Sequence, residues 1–249
     1  RYDRMRIDVL TLFPELFDAF EKYSIVGRTI EKGLFSLNKV DIRDFSKDKH
    51  KRVDDYSFGG GPGMVMRPEP IYDALSNVKS EDSIVIYLSP QGKTYNQELA
   101  NFLSKEKHLI LLCGHYEGID NRIIDNYVDL EISIGDYVLT GGEIPAMVLI
   151  ESIIRLLPGA LSGEESYVNE SHYNGLLEYP QYTRPRTFHD FNVPEILLSG
   201  DHKKIEEWRK YKSLETTYIK RPDLLKKRNL TEMEMEILKI IEEEVRKKN

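Results

Sequence analysis

Three stretches of one design hold the residues best placed to do chemistry. They are Tyr87-Leu-Ser-Pro-Gln-Gly92, Cys113-Gly-His-Tyr-Glu-Gly-Ile-Asp120 and Ser133-Ile-Gly-Asp-Tyr-Val-Leu-Thr-Gly-Gly-Glu143. Each follows an apolar run of the kind a buried strand shows, at 84–88, 109–113 and 130–134. Each then turns polar and glycine-bearing, so backbone can come close to a ligand without a Cβ in the way. A plain strand-to-helix turn would explain any one of them. Three such loops beyond the carboxyl ends of parallel strands would share the sheet edge where ligands bind, and so would make one pocket.

Two further features carry chemical potential. Gly59-Gly-Gly-Pro-Gly-Met64 is neither helix nor regular strand, because so much glycine costs too much entropy there. It reads either as a backbone surface for a planar or phosphorylated ligand or as a flexible loop. It lacks the Gly-Lys-Ser/Thr of a Walker loop, and no Gly-x-Gly-x-x-Gly opens a helix after a strand. Arg155 closes a helix read at 144–157 that is apolar almost all round. Its guanidinium is either aimed at an anion or reaches solvent.

Alternating strands and helices would position these groups. Strands are expected at 6–12, 37–42, 84–88, 109–113 and 130–134, and helices at 25–32, 70–78, 96–106, 120–127 and 144–157. This alternation indicates a mostly parallel, helix-covered α/β sheet over residues 1–160. Residues 161–172 are short of core residues and suit an interdomain linker. Residues 173–249 read as a small helical domain. It has a helix at 202–211 with Ile205 and Trp208 inward and Lys203, Lys204, Arg209 and Lys210 outward, and a capping box, Thr231-x-x-Glu234, opening the last helix. That basic face could dock on nucleic acid or on the neighbouring domain. The apolar helix at 144–157 needs both faces covered, so a homodimer is expected.

The chain of 249 residues carries a formal net charge of −7, which by itself argues against a nucleic-acid partner. The charge is uneven. Residues 1–175 hold 19 Lys+Arg and 28 Asp+Glu, whereas 201–228 hold 10 and 5. Local basic density matters more for phosphate contact than the total. The single cysteine, Cys113, excludes an internal disulfide and fits a reducing, cytoplasmic setting. No run of about 18 apolar residues is present, so no membrane helix is expected. The charged opening Arg1-Tyr-Asp-Arg4 lacks an apolar signal core.

Taken together, the three loop motifs, the 59–64 cluster and Tyr182-Thr-Arg-Pro185, in this order, resemble the bacterial tRNA (guanine-37-N1)-methyltransferases of the SPOUT superfamily. The resemblance runs from Leu12-Phe-Pro14 to the C-terminal helices. It implies a parallel sheet tied into a deep trefoil knot, a rare exception to ordinary chain connection. It implies S-adenosylmethionine bound in the knot by Tyr87, Leu88, Ser89, Pro90 and Gln91 of the first loop. Gly114, Tyr116 and Glu117 of the second would join them. The third would add Ser133, Ile134, Gly135, Asp136, Tyr137, Val138, Leu139, Gly141 and Gly142, with Pro145 beyond. Dimers with active sites shared between chains are also implied, and magnesium is left open as a second cofactor.

For such a reaction, N1 of guanine must lose its proton to a general base, and charge developing toward O6 needs a cation. The resemblance puts the arginine at Arg155 and the base at Glu170, where the family pattern carries aspartate. His115 stands where arginine is common. His172 replaces an aromatic and reads as a packing residue. The resemblance also implies a target base in the single-stranded anticodon loop of tRNA. It would meet Asp54, Gly59, Gly60, Gly61 and Gly63, while Arg184, Lys203 and Arg209 hold phosphates. Two rivals remain: a SPOUT methyltransferase acting on another RNA, and an RNA-binding module without catalysis. Matched RNA substrates separate the first, and cofactor binding with turnover separates the second.

Overall fold

Alternate residues of the first strand, β1 (Met5–Thr11), face opposite ways. Ile7 and Val9 enter one hydrophobic cluster and Leu10 the other. This two-sided burial is what a parallel, helix-covered sheet demands of its central strands. The computed structural model describes residues 4–161 and 170–248. The chain divides into two compact units, 1–164 and 165–249.

In the first unit β1 is followed by α1 (Phe17–Phe20), α2 (Ser24–Glu31) and β2 (Phe35–Asp41). A two-residue antiparallel pair comes next, β3 (Asp54–Asp55) and β4 (Val65–Met66), joined by the glycine-rich segment. Then follow α3 (Pro68–Val78), β5 (Ser83–Thr94), α4 (Gln97–Leu103), β6 (His108–Cys113), α5 (Asn121–Tyr127), β7 (Leu130–Ser133) and α6 (Glu143–Ile154). Five strands form one sheet in the order β2-β1-β6-β5-β7, every pair parallel.

One face carries α2, α4 and α6. The buried residues of α6, Ala146, Leu149, Ile150, Ile153 and Ile154, pack there with Leu109, Leu111 and Cys113 of β6. The four larger of these helix side chains contribute about 1.5–3 kcal/mol each by leaving water. The other face carries α3 and α5, through Ile71, Ala74, Leu75, Val78 and Ile123 against Ile110 and Leu112. The carboxyl ends of β1, β6, β5 and β7 all point to one edge.

The structure extends or trims several expected elements. β5 does not stop at Leu88. It leaves the sheet for four residues and returns, so that Leu88 and Lys93 both pair with Ile132. Gly92 makes the return possible, because a Cβ there would collide with the backbone of Glu131 and Ile132. The helix read at 96–106 is shorter, capped by the Asn96 side chain and ending at Leu103. Helix α6 ends at Ile154, leaving Arg155 as its C-cap.

The second unit contains a short hairpin, β8 (Thr187–Phe188) and β9 (Phe191–Asn192), then α7 (His202–Lys220), α8 (Pro222–Lys226) and α9 (Glu232–Lys248). Helix α7 runs nine residues past the expected end, because Leu214 and Thr217 continue its buried side. They replace Ile205 and Trp208, which are only half-buried, as the core residues. Leu176, Leu214, Leu238 and Ile241 form that core. The Thr231–Glu234 capping box is present. Thr231 N–H donates to Glu234 Oε2 at 2.9 Å, and Glu234 N–H to Thr231 Oγ1 at 3.2 Å. Most of the segment read as a linker, 162–169, lies outside the described residues.

Candidate active site

The three strand-end loops converge on one cleft of about 230 Å3. Its walls are Tyr87–Gln91 after β5, Gly114–Gly118 after β6, and Ile132–Gly142 after β7 without Asp136, with Pro145 beyond. Every residue expected around the cofactor therefore lies on the cleft except Asp136, which faces solvent. His115, Gly118, Ile132 and Thr140 line it as well. From the sequence His115 stood apart only as a departure from the family pattern; Gly118 and Thr140 lie inside the quoted loop motifs and Ile132 in the strand before the third, but none was assigned to the cofactor.

Close backbone contact holds the loops together. Gly142 N–H donates to Gly114 O at 3.0 Å. A Cβ on Gly142 would sit 2.7 Å from the Cys113 Cα, so only glycine lets the third loop lie on the second. Tyr116 adopts a positive φ of 58° in a turn closed by Gly118 N–H donating to His115 O at 3.0 Å. Such backbone outliers gather at ligand sites, where the surroundings over-determine them. Beneath the cleft the Cys113 thiol is fully buried, and that burial, reinforced by the nearby Glu143 charge, pushes its pKa well up.

A polar chain braces the same loops from below. Thr11 Oγ1 donates to Glu143 Oε1 at 2.7 Å, and His115 Nε2 lies 3.0 Å from Glu143 Oε2. Glu143 and Thr11 are both buried, and each is satisfied by the other, as buried polar groups must be. The side chain of His115 thus has an internal partner.

The cleft has the character needed by a ligand with both flat and polar parts. It offers apolar walls (Leu88, Ile132, Val138, Leu139), backbone amides and carbonyls of the glycine loops, and the Glu117 carboxylate. This mixture fits the adenosine and amino-acid portions of S-adenosylmethionine. Among the described residues no group of three or more His, Cys, Asp or Glu side chains is placed to hold a metal ion.

A family model described as tRNA (Guanine-1)-methyltransferase TrmD matches residues 5–227. The chain belongs to this family. Curated relatives carry the name tRNA (guanine-N(1)-)-methyltransferase. One from Ruminiclostridium cellulolyticum is 61% identical over 226 residues, 90% of this chain and 97% of its own. One from Clostridium novyi is 56% identical over 241 residues, 96% and 99% of the two chains. One from Fusobacterium nucleatum is 55% identical over 240 residues, again 96% and 99%.

The remaining residues singled out by likeness to the TrmD family are placed as follows. Arg155 and Glu170 are both half-buried, the first at the end of α6 and the second where the described part of the second unit begins. Asp54 lies in β3, and Gly59, Gly60, Gly61 and Gly63 lie on the exposed segment between β3 and β4. Arg184 and Lys203 are exposed.

Two expectations need correction. Arg209 does not point outward as a spare cation. It is half-buried, pairs with Glu206 at 2.6 Å, and lies 5.0 Å over the Tyr179 ring. Lys210 is likewise engaged by the buried Glu234, which also takes Arg228 at 2.8 Å. Much of the basic density of this region is therefore neutralised internally. His172 is not a packing residue. It is exposed, in a turn with φ of 71°, and donates its N–H to Leu176 O at 2.7 Å.

Proposed function

We propose that this chain transfers a methyl group from S-adenosylmethionine to N1 of guanine 37, beside the anticodon of tRNA. The observation that carries this reading is the convergence of three strand-end loops on one cleft, in a chain of the TrmD family. S-adenosylmethionine, bound there as a substrate, supplies an electrophilic sulfonium methyl. The glycine-bearing backbone of the loops binds and orients it, and the apolar walls exclude water.

Glu170 removes the N1 proton as a general base, a role worth roughly 100- to 10,000-fold in rate. Arg155 stabilises charge developing toward O6. Alignment of the attacking nitrogen with the methyl supplies the rest of the acceleration. The exposed Arg184 and Lys203 hold RNA phosphates.

A second copy completes the enzyme. Ile144 is 60% exposed, and Val148 is exposed on the same helix, α6. Tyr137, Val138 and Leu139 add apolar surface at the cleft mouth. Apolar patches of this kind mark interfaces, and a homodimer sharing its active sites covers them. The doubled contact of β5 with β7, and the seating of the β7 loop on the β6 loop, fit a chain threaded as a trefoil knot. Among the described residues no helix is long and apolar enough to cross a membrane, and the tRNA substrate puts the work in the cytoplasm.

The test is methyl transfer from labelled S-adenosylmethionine to two tRNA transcripts differing only in guanine or adenine at position 37. Transfer to the guanine transcript alone supports the reading. Cofactor binding without transfer to either would point to another RNA.

A further inference from the structure

Phe58 is bare. It is 101% exposed, and Tyr56 two residues earlier is 79% exposed. A fully solvated phenylalanine forgoes roughly 1.5–3 kcal/mol of burial, and here the backbone is shaped to hold it out. Ser57 O accepts from Gly60 N–H at 3.4 Å, and Ser57 Oγ donates to Gly60 O at 3.2 Å. Gly59 has φ of 87°, as the third residue of a type II turn requires. Phe58 is therefore the second residue of that turn, at its tip. An added Cβ on Gly59, Gly60 or Gly61 would meet nothing within 4 Å, so these glycines serve the turn and its reach, with no packing neighbour to admit.

The far end of the same segment is fixed to the cleft. Glu117 N–H donates to Met64 O at 3.0 Å, Met66 N–H to Gly118 O at 2.9 Å, and Asp120 N–H to Met66 O at 3.0 Å. A Cβ on Gly63 would lie 2.5 Å from Glu117 Cγ, so the segment rests directly on a cleft wall. Five residues of chain then hold Phe58 within roughly 18 Å of that wall.

We propose that Phe58 is a stacking platform for a nucleobase of the RNA substrate, beside the base that enters the cleft. The inference rests on the reading of the chain as a tRNA methyltransferase. An aromatic face next to a site that takes an unstacked base offers what single-stranded RNA binds best, a flat apolar partner. Such a stack is sequence-tolerant, because every base has a π face.

The experiment compares Phe58→Ala, Phe58→Leu and Phe58→Trp with wild type on the guanine-37 transcript. It reads KM for RNA and kcat, with S-adenosylmethionine Kd measured by calorimetry. Phe58→Ala is expected to raise KM about 10-fold or more, the scale of one lost base stack. Phe58→Leu, apolar but without a π face, should stay near the alanine variant, and Phe58→Trp near wild type. Cofactor Kd should move less than about twofold in all three, on the same stacking argument. An alanine KM within about twofold of wild type, or full recovery by leucine, overturns the proposal. If wild type itself transfers no methyl to this transcript, the underlying reading has failed. Fluorescence anisotropy with a labelled anticodon stem-loop then decides Phe58 alone, and equal affinities of wild type and Phe58→Ala overturn it.

Discussion

His115 Nε2 lies 3.0 Å from the buried Glu143 Oε2, linking the loop after β6 to the first turn of α6. Through the other carboxylate oxygen Glu143 also receives the Thr11 hydroxyl at 2.7 Å, so β1, the loop after β6 and α6 meet at one side chain. The glycines that close the cleft, Gly141 and Gly142, immediately precede Glu143.

Glu143→Ala should therefore weaken both fold and site. It leaves the fully buried Thr11 hydroxyl without its acceptor, a cost of about 1–3 kcal/mol. A thermal melt is expected to fall by roughly 2–12 °C, and calorimetry should show weaker S-adenosylmethionine binding. An unchanged cofactor Kd would mean that this polar chain supports the fold but not the cleft.

Gly142→Ala places a methyl 2.7 Å from backbone that cannot swing aside. Either the third loop lifts from the second or the sheet edge shifts. Overpacking of this kind costs about 1–3 kcal/mol, and cofactor affinity is expected to drop by about tenfold or more, since the displaced loop is part of the cleft. Binding as tight as wild type would show that the seat on Gly114 is not needed.

Cys113 should be chemically silent. Its thiol is fully buried and its pKa is pushed well up, by burial first and then by Glu143. The thiolate is the reactive form, so native protein at pH 8 is expected to resist a thiol reagent and react fully once denatured. Rapid native labelling would show that the cleft floor opens.

Glu234 gives the second unit an acid limit. Burial pushes its carboxyl up, but Lys210, the Thr231 N–H and Arg228 together outweigh that and hold it below its ordinary value of 4.5. A depressed folded pKa contributes stability that is full above the unfolded value and is lost as pH falls through the folded one. Glu234→Gln is expected to lower stability at pH 7 by on the order of 2 kcal/mol. The gap between variant and wild type should narrow in acid denaturation scans below about pH 4.5.

Much of this site could be read from the chain, because its signals are local. An apolar run ending in a glycine-bearing loop marks a strand end, and three such runs fixed which loops share an edge. The 231–234 capping box was equally local. What could not be read depends on partners distant in sequence. Gly92 matters because Glu131 and Ile132 lie against it, and no residue near 92 announces that. Glu206 lies one turn before Arg209 on the same helix, so that pair was open to a helix wheel. Only the fold brings Tyr179 to Arg209 and Glu234 to Lys210. Helix α7 outruns its expected end because Leu214 and Thr217 find Leu176 and its neighbours.

The most direct measurement is single-turnover methyl transfer to the guanine-37 transcript by wild type and Glu170→Gln, with the product nucleoside identified by mass spectrometry. The expected result is N1-methylguanosine from wild type, with the rate in the variant lower by about 100-fold or more, as loss of a general base implies. Transfer in Glu170→Gln within about tenfold of wild type, or methylation of any atom other than N1, would contradict the account.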